Sequence, residues 1–284
     1  MNWVKTFFWM TVLTILLVLV GSIFGQYGLF IGLGLALVLN GAAYFFGDKA
    51  ALSAARAQEV TPEQAPMLHQ LADRLSQQYQ VPKPRVYVSP DPSPNAFATG
   101  RNPNHASICV NEGLIRILNP DELYGVLAHE FAHVRNRDIL ISTVVAVMAG
   151  AITLLANIAQ WGLFWGGGND ERDNPLGIVG VLLLVILGPI AALLIQLAVS
   201  RSREYEADHT GALVSHEPLA LANALRKLQR GAEVVPSPVA QPAFAHLYIV
   251  NPLSGRSLAG LFSTHPPLDE RIRRLEAMAY EDRR

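Results

Sequence analysis

Asn119-Pro120-Asp121-Glu122-Leu123-Tyr124-Gly125-Val126-Leu127-Ala128-His129-Glu130-Phe131-Ala132-His133-Val134-Arg135 decides how this chain is read, because it opens as a helix and then sets two imidazoles four residues apart. Asn119 can cap the first turn, Pro120 suits the first helical position, and Asp121 and Glu122 lie where acids favour the helix dipole. Leu123, Val126, Leu127, Phe131 and Val134 recur at helical spacing, so the segment is expected to be an amphipathic helix. On such a helix His129 and His133 share a face and can hold one metal ion, while Glu130 leans toward a water on that ion. Uncharged neighbours such as Ala128, Phe131 and Ala132 keep competing charges away. The plainer alternative is a solvated histidine pair on an ordinary helix.

Working outward, the 284 residues are apolar enough, at a mean hydropathy of +0.26, to suggest a membrane protein. The apolar excess is concentrated. Between Lys5 and Lys49 the only charge is Asp48, and Gly25-Gln26-Tyr27-Gly28 can turn the chain midway. Two further uncharged runs go from Ile139 to Asn169 and from Pro175 to Ser200. Four transmembrane helices in two hairpins are therefore expected. They divide the chain into an N-terminal hairpin (1–48), a catalytic part with the histidine helix (49–138), a second hairpin (139–199) and a C-terminal part (200–284). A cleaved signal peptide would need a small-residue cleavage site, which the first segment lacks, and another span follows at once.

Between the last two runs, Asp170, Glu171, Arg172 and Asp173 form an acidic loop, while Lys49, Arg56, Arg135, Arg137, Arg201 and Arg203 crowd the other helix ends. Positive charge stays in the cytosol, so both termini and the histidine helix are expected there. A net charge of -1 gives no argument for nucleic acid, and Cys109 alone permits no intrachain disulfide.

A catalytic zinc usually takes three protein ligands, so another must come from elsewhere. The best candidate is Glu204 in Ser200-Arg201-Ser202-Arg203-Glu204-Tyr205-Glu206-Ala207-Asp208. Glu204 and Asp208 share a helix face, which would let Glu204 bind metal while Asp208 accepts a hydrogen bond from a ligand histidine; Glu206 points elsewhere. An acid pair balancing Arg201 and Arg203 is the alternative. A returning hairpin would bring Glu204 to the side where the histidines wait, within roughly 15 Å of the bilayer at about 1.5 Å of rise per residue.

Among the remaining segments, Thr61-Pro62-Glu63-Gln64 resembles a capping box before a helix striped by Leu68, Leu71 and Leu75 and ending near Tyr79, expected to pack over the histidine helix. Arg85 to Ser89, Ala96 to Thr99 and Ser107 to Val110 read as strands of a small sheet. The Asn95 to Gly100 strand is a candidate open edge for holding an extended peptide, an interior strand being the alternative. Glu233 to Pro242 lacks helical period and is expected to be a flexible segment over the cleft. His69, His105, His209, His216 and His246 lack motif spacing and are expected at the surface or in the core.

Four blocks in order, Asn95-Ala96-Phe97-Ala98-Thr99-Gly100, His129-Glu130-Phe131-Ala132-His133, the 200–208 segment and Thr264-His265-Pro266-Pro267-Leu268-Asp269, make the chain resemble the HtpX-type membrane zinc proteases, bacterial relatives of the prenyl-protein endopeptidases. The resemblance implies a mainly α membrane protein with a cytosolic zincin-like α+β domain. It implies one Zn2+ per chain held by His129, His133 and Glu204, with Glu130 as the catalytic acid/base. It also implies an endopeptidase of the bacterial inner membrane, multi-pass, that cleaves damaged or misfolded membrane proteins under stress. The resemblance places His265 near the active site, where it would stabilise an oxyanion or else cap the following helix. An intramembrane protease is disfavoured by the charges on the 120–137 helix, and a four-helix scaffold or transporter with an incidental motif remains the non-enzymatic rival.

Overall fold

The computed structural model describes residues 2–22, 25–145, 148–149, 201–234, 237, 247–249 and 266–281. Two apolar helices come first, α1 (Asn2–Ser22) and α2 (Gly25–Ala54), folded back on one another. Gly32 lies so close to α1 that a Cβ there would sit 2.4 Å from the Leu17 carbonyl oxygen. Farther along, the Asn40 side-chain amide donates to the Met10 carbonyl at 3.2 Å and to the Thr14 hydroxyl at 3.0 Å. Close backbone approach plus a polar cross-link holds helices together where water supplies no hydrophobic drive between them. Among the described residues α2 alone, with 30 residues, is both long and apolar enough to cross a membrane, the apolar part of α1 (Thr6–Leu19) being shorter.

Residues 138–145 are helical. Leu140, Ile141 and Val144 pack with Leu13, Leu17 and Ala36, so the chain that leaves the histidine helix runs straight onto the apolar hairpin. Of the expected second hairpin, residues 150–200 lie outside the described residues.

A four-stranded sheet follows in the order β1-β2-β4-β3, built from β1 (Gln58–Glu59), β2 (Arg85–Ser89), β3 (Ala96–Gly100) and β4 (Ala106–Asn111). The β2–β4 pair is parallel; the outer pairs are antiparallel. Three strands fall where sequence placed them, and β1 is an addition too short to carry a period. The order makes β3 the edge strand among the described residues, and all five of its residues are buried. Its register adds direction: the Asn111 N–H bonds the Asn95 carbonyl opposite it, so in an antiparallel ladder Phe97 and Thr99 also bond toward β4, and Ala96 and Ala98 turn their N–H and C=O outward.

α3 (Pro66–Tyr79) begins later than the Thr61 capping box implied. Gln64 does close back on the Thr61 N–H at 2.9 Å, but the intervening residues make a turn and Pro66 opens the helix. Its Leu68 and Leu75 enter the core, and the Tyr79 hydroxyl donates to the Ala128 carbonyl at 2.7 Å, tying α3 onto the histidine helix as expected.

After the short α4 (Glu112–Ile117) comes α5 (Pro120–Asn136), the histidine helix. Its start carries the full reciprocal box: Asn119 Oδ1 accepts from the Glu122 N–H and Glu122 Oε2 accepts from the Asn119 N–H, both at 2.9 Å. Removing that cap with Asn119→Ala is expected to cost about 1 kcal/mol, read as a lowered Tm of the detergent-solubilised chain. α5 departs from the amphipathic expectation, for Leu123 to Ala132 are all buried. The reason is its central place: α3, β3, α6 (Arg201–Ser215) and α7 (Pro218–Val234) all pack against it. The histidine face therefore looks into a polar interior rather than into solvent. α7 also takes in Glu233 and Val234, which correct the start of the expected irregular segment; the rest of 233–242, Ser237 aside, lies outside the described residues. α8 (Leu268–Glu281) closes the described chain.

Candidate metal centre and active site

α6 meets α5 closely at the histidines. A Cβ on Gly211 would lie 3.1 Å from the His129 backbone nitrogen, tighter than ordinary contact, so glycine lets the two backbones come this near without a local shift. That approach carries Glu204 and Asp208, on the same face of α6, to the imidazoles. His129 Nε2 and His133 Nε2 stand 3.3 Å apart, His133 Nε2 is 3.5 Å from Glu204 Oε1, and His129 Nε2 is 3.6 Å from Glu204 Oε2. Donors bound about 2 Å from one tetrahedral ion lie roughly 3.3 Å from each other, so the trio has the dimensions of a metal site. The three form a group able to hold a metal ion, with His129 and Glu204 buried and His133 partly so.

Each imidazole is oriented from behind. His129 Nδ1 faces Asp208 Oδ1 at 2.9 Å and His133 Nδ1 faces Asp138 Oδ2 at 3.2 Å. A carboxylate accepts the Nδ1 proton in both cases, which leaves the Nε2 lone pairs pointing at the common centre. Two lone pairs and a carboxylate aimed at one point are the donor chemistry of a borderline divalent cation such as zinc. The expectation that Asp208 partners a ligand histidine matches this geometry, and Glu206 is exposed.

Behind the carboxylates sits Arg271 of α8, 0% exposed. Its Nε and Nη2 each donate to Asp208 at 2.7 Å, and Nη1 lies 3.5 Å from Glu204 Oε2. Burial alone would raise the Asp208 carboxyl, but the forked guanidinium outweighs it and holds the group down at about 2. The sequence of this helix carries an apolar stripe, Leu268, Ile272 and Leu275, which gives no sign of the arginine's role. An arginine 142 residues from its histidine neighbour leaves no local signal.

Glu130 lies within the same cleft and is buried. Desolvation pushes its carboxyl above the usual range, with His129 and His133 pulling the other way, and the outward N–H of Ala98 on β3 donates to it. The cleft, about 50 Å³, has room for a few waters and is lined by Phe97, Ala98, His129, Glu130, His133, Asp138, Arg203 and Glu204, and by residues 247–249. Arg203, grouped in sequence with basic residues at helix ends, is instead buried here, where it interacts electrostatically with Asp138 and Glu204. Asn95 pins the wall opposite: its Oδ1 accepts from the Ile249 N–H at 2.9 Å and its Nδ2 reaches the Leu247 carbonyl at 3.5 Å. Away from the cleft, His69 bonds the Val60 carbonyl and His105, His209 and His216 are exposed, as expected. His246 and His265 lie outside the described residues.

Residues 62–279 match the peptidase family M48. The chain belongs to that family. It is therefore a peptidase, and the family implies a metal; His129, His133 and Glu204 form a group that could hold one. A protease HtpX homolog of Syntrophobacter fumaroxidans is 54% identical over 260 residues, covering 91% of this chain and 92% of its own length. One of Pelotomaculum thermopropionicum is 50% identical over 281 residues, 98% of this chain and 100% of the relative. One of Pyrococcus furiosus is 50% identical over 280 residues, with 98% and 96% covered. In fold, the chain is similar to the crystal structure of S. mikatae Ste24p, with a TM-score of 0.51 at 18% identity, over 92% of this chain and 61% of that one. Family membership removes the scaffold and transporter reading.

Proposed function

We propose that the chain is a zinc-dependent endopeptidase of the bacterial inner membrane that cuts damaged or misfolded membrane proteins on the cytosolic side. The observation that carries the chemistry is the convergence of His129 Nε2, His133 Nε2 and the Glu204 carboxylate within 3.3–3.6 Å of one another, with Glu130 beside them. Zinc held there would lower the pKa of a water toward neutrality and polarise a scissile carbonyl. Glu130 takes the proton of the attacking water and passes it to the leaving amine; its raised carboxyl suits both halves of that transfer. Arg203, whose charge lies close enough to Asp138 and Glu204 to interact with both, also offers it to the oxygen on which negative charge develops.

An extended peptide is held along β3. The outward carbonyls of Ala96 and Ala98 and the Ala96 N–H are free of the ladder, so a substrate strand adds to the sheet edge beside Glu130. Asn95 and the 247–249 wall set the width of the groove. The membrane reading rests on α2 and on the three uncharged runs, and the cytosolic side on the basic residues at the helix ends. An intramembrane site is disfavoured because α5 exposes Asp121 and Arg135 and its C-cap Arg137 is exposed, charges that lipid would not accept.

His133→Ala is expected to lower bound zinc from one per chain to near none, measured by elemental analysis of the purified protein. Full zinc retention in that variant would remove the ligand assignment. Substrate trapping with Glu130→Gln in native membranes, followed by identification of the retained proteins, tests the substrate class. Enrichment of soluble proteins over membrane proteins would overturn it.

A further inference from the structure

A second cavity, about 410 Å³, opens where the end of α2, the start of β2 and the end of β3 meet. It falls in the size range of ordinary ligand pockets. Three cations, Lys49, Arg85 and Arg101, line it against one carboxylate, Asp48. Asp48 is committed to Arg85 at 3.4 Å. Lys49 and Arg101 have no carboxylate partner among the described residues; each lies over a ring, Lys49 over Phe46 at 5.7 Å and Arg101 over Phe45 at 5.8 Å. Both rings are more than half exposed, at 56% for Phe45 and 57% for Phe46.

The position gives these features a common meaning. From Thr6 to Gly47 the chain has no charge, and Asp48 and Lys49 are where that run stops. The cavity thus sits at the end of the apolar length of α2, where a bilayer's hydrocarbon gives way to headgroups. One side of it is aromatic and continuous with the exposed face of α2; the other presents two unpaired cations. We infer that it binds one anionic phospholipid, the phosphodiester between Lys49 and Arg101 and an acyl chain against Phe45 and Phe46. A free phosphate would use the cations and leave the aromatic side unexplained. The site is distinct from the catalytic cleft, although both touch β3: Phe97 and Ala98 face the zinc donors, whereas Gly100 and Arg101 face this cavity.

The inference rests on α2 spanning the bilayer, and that premise has its own check: alkaline carbonate should leave the chain in the membrane pellet. Release into the supernatant would sink the span itself, whatever the lipid result. For the site, full-length protein is placed in nanodiscs of phosphatidylcholine with or without phosphatidylglycerol, and lipid carried through detergent exchange is counted by native mass spectrometry. One phosphatidylglycerol per chain is expected, held in preference to phosphatidylcholine. Lys49→Gln with Arg101→Gln should weaken it about thirty-fold, the factor for two cations worth roughly 1 kcal/mol each at an anionic surface, and each single change about five-fold. Lys83→Gln, a control away from the cavity, should change nothing. Peptide cleavage in detergent, unaltered in the double variant, shows that it is folded. Equal retention by wild type and double variant overturns the inference. So does equal retention of the two lipids, or binding of inorganic phosphate that depends on Lys49 and Arg101 without any lipid preference.

Discussion

Glu130→Gln is expected to lower peptide cleavage by roughly 10²–10⁴-fold, the range over which a positioned acid/base acts, while zinc remains at one per chain. The two readouts separate because Glu130 is not one of the three converging donors, and its amide replacement keeps the shape and the Ala98 hydrogen-bond partner. What the substitution removes is the group that accepts a proton at the cleft. A fluorogenic peptide assay beside elemental analysis decides it. Wild-type turnover in the variant would show that another base does this work, and loss of zinc along with activity would show that Glu130 supports the donors instead.

Arg271→Met should be the most destabilising single change among the described residues of the site, by about 3–5 kcal/mol, because it leaves the Asp208 carboxylate buried without its partner. At this chain length the Tm should fall by roughly 6 °C or more. Adding Asp208→Leu should restore part of the loss, since the orphaned charge is then gone, yet zinc should bind more weakly because His129 has lost the acceptor for its Nδ1 proton. Recovery of both stability and zinc affinity in the double variant would contradict the proposed role of Asp208.

The pair also sets an acid limit. Asp208 is held down at about 2 against an unfolded value near 3.9, so its stabilisation is complete above the unfolded value and is lost as pH falls through the folded one. Arg271→Met should flatten that acid limb of the Tm–pH profile. A steeper limb in the variant would argue against the pairing.

Much of the active half was legible along the chain because it is local. The His129–His133 spacing is one helical turn, the Asn119 cap and its Glu122 partner are three residues apart, and the strands of the sheet announce themselves by composition. Glu204 was reachable by one further argument, that a zinc needs a third ligand and that a helix face can offer a carboxylate with a supporting acid behind it. Asp138 was within reach too, five residues past His133, but a single acid after a helix end gives no reason to prefer a histidine partner over solvent.

What the sequence determined by itself, then, is the set of candidate donors and the helices that present them, since backbone periodicity dictates which side chains share a face. Only the tertiary structure decided that β3 is the last strand of the sheet among the described residues, that the middle of α5 is buried from Leu123 to Ala132, that Arg203 lies in the cleft and that Arg271 clamps Asp208. These depend on which elements meet across gaps of tens to over a hundred residues. Such meetings are settled by the burial and close packing of whole surfaces, a sum over many weak contacts that no short motif encodes.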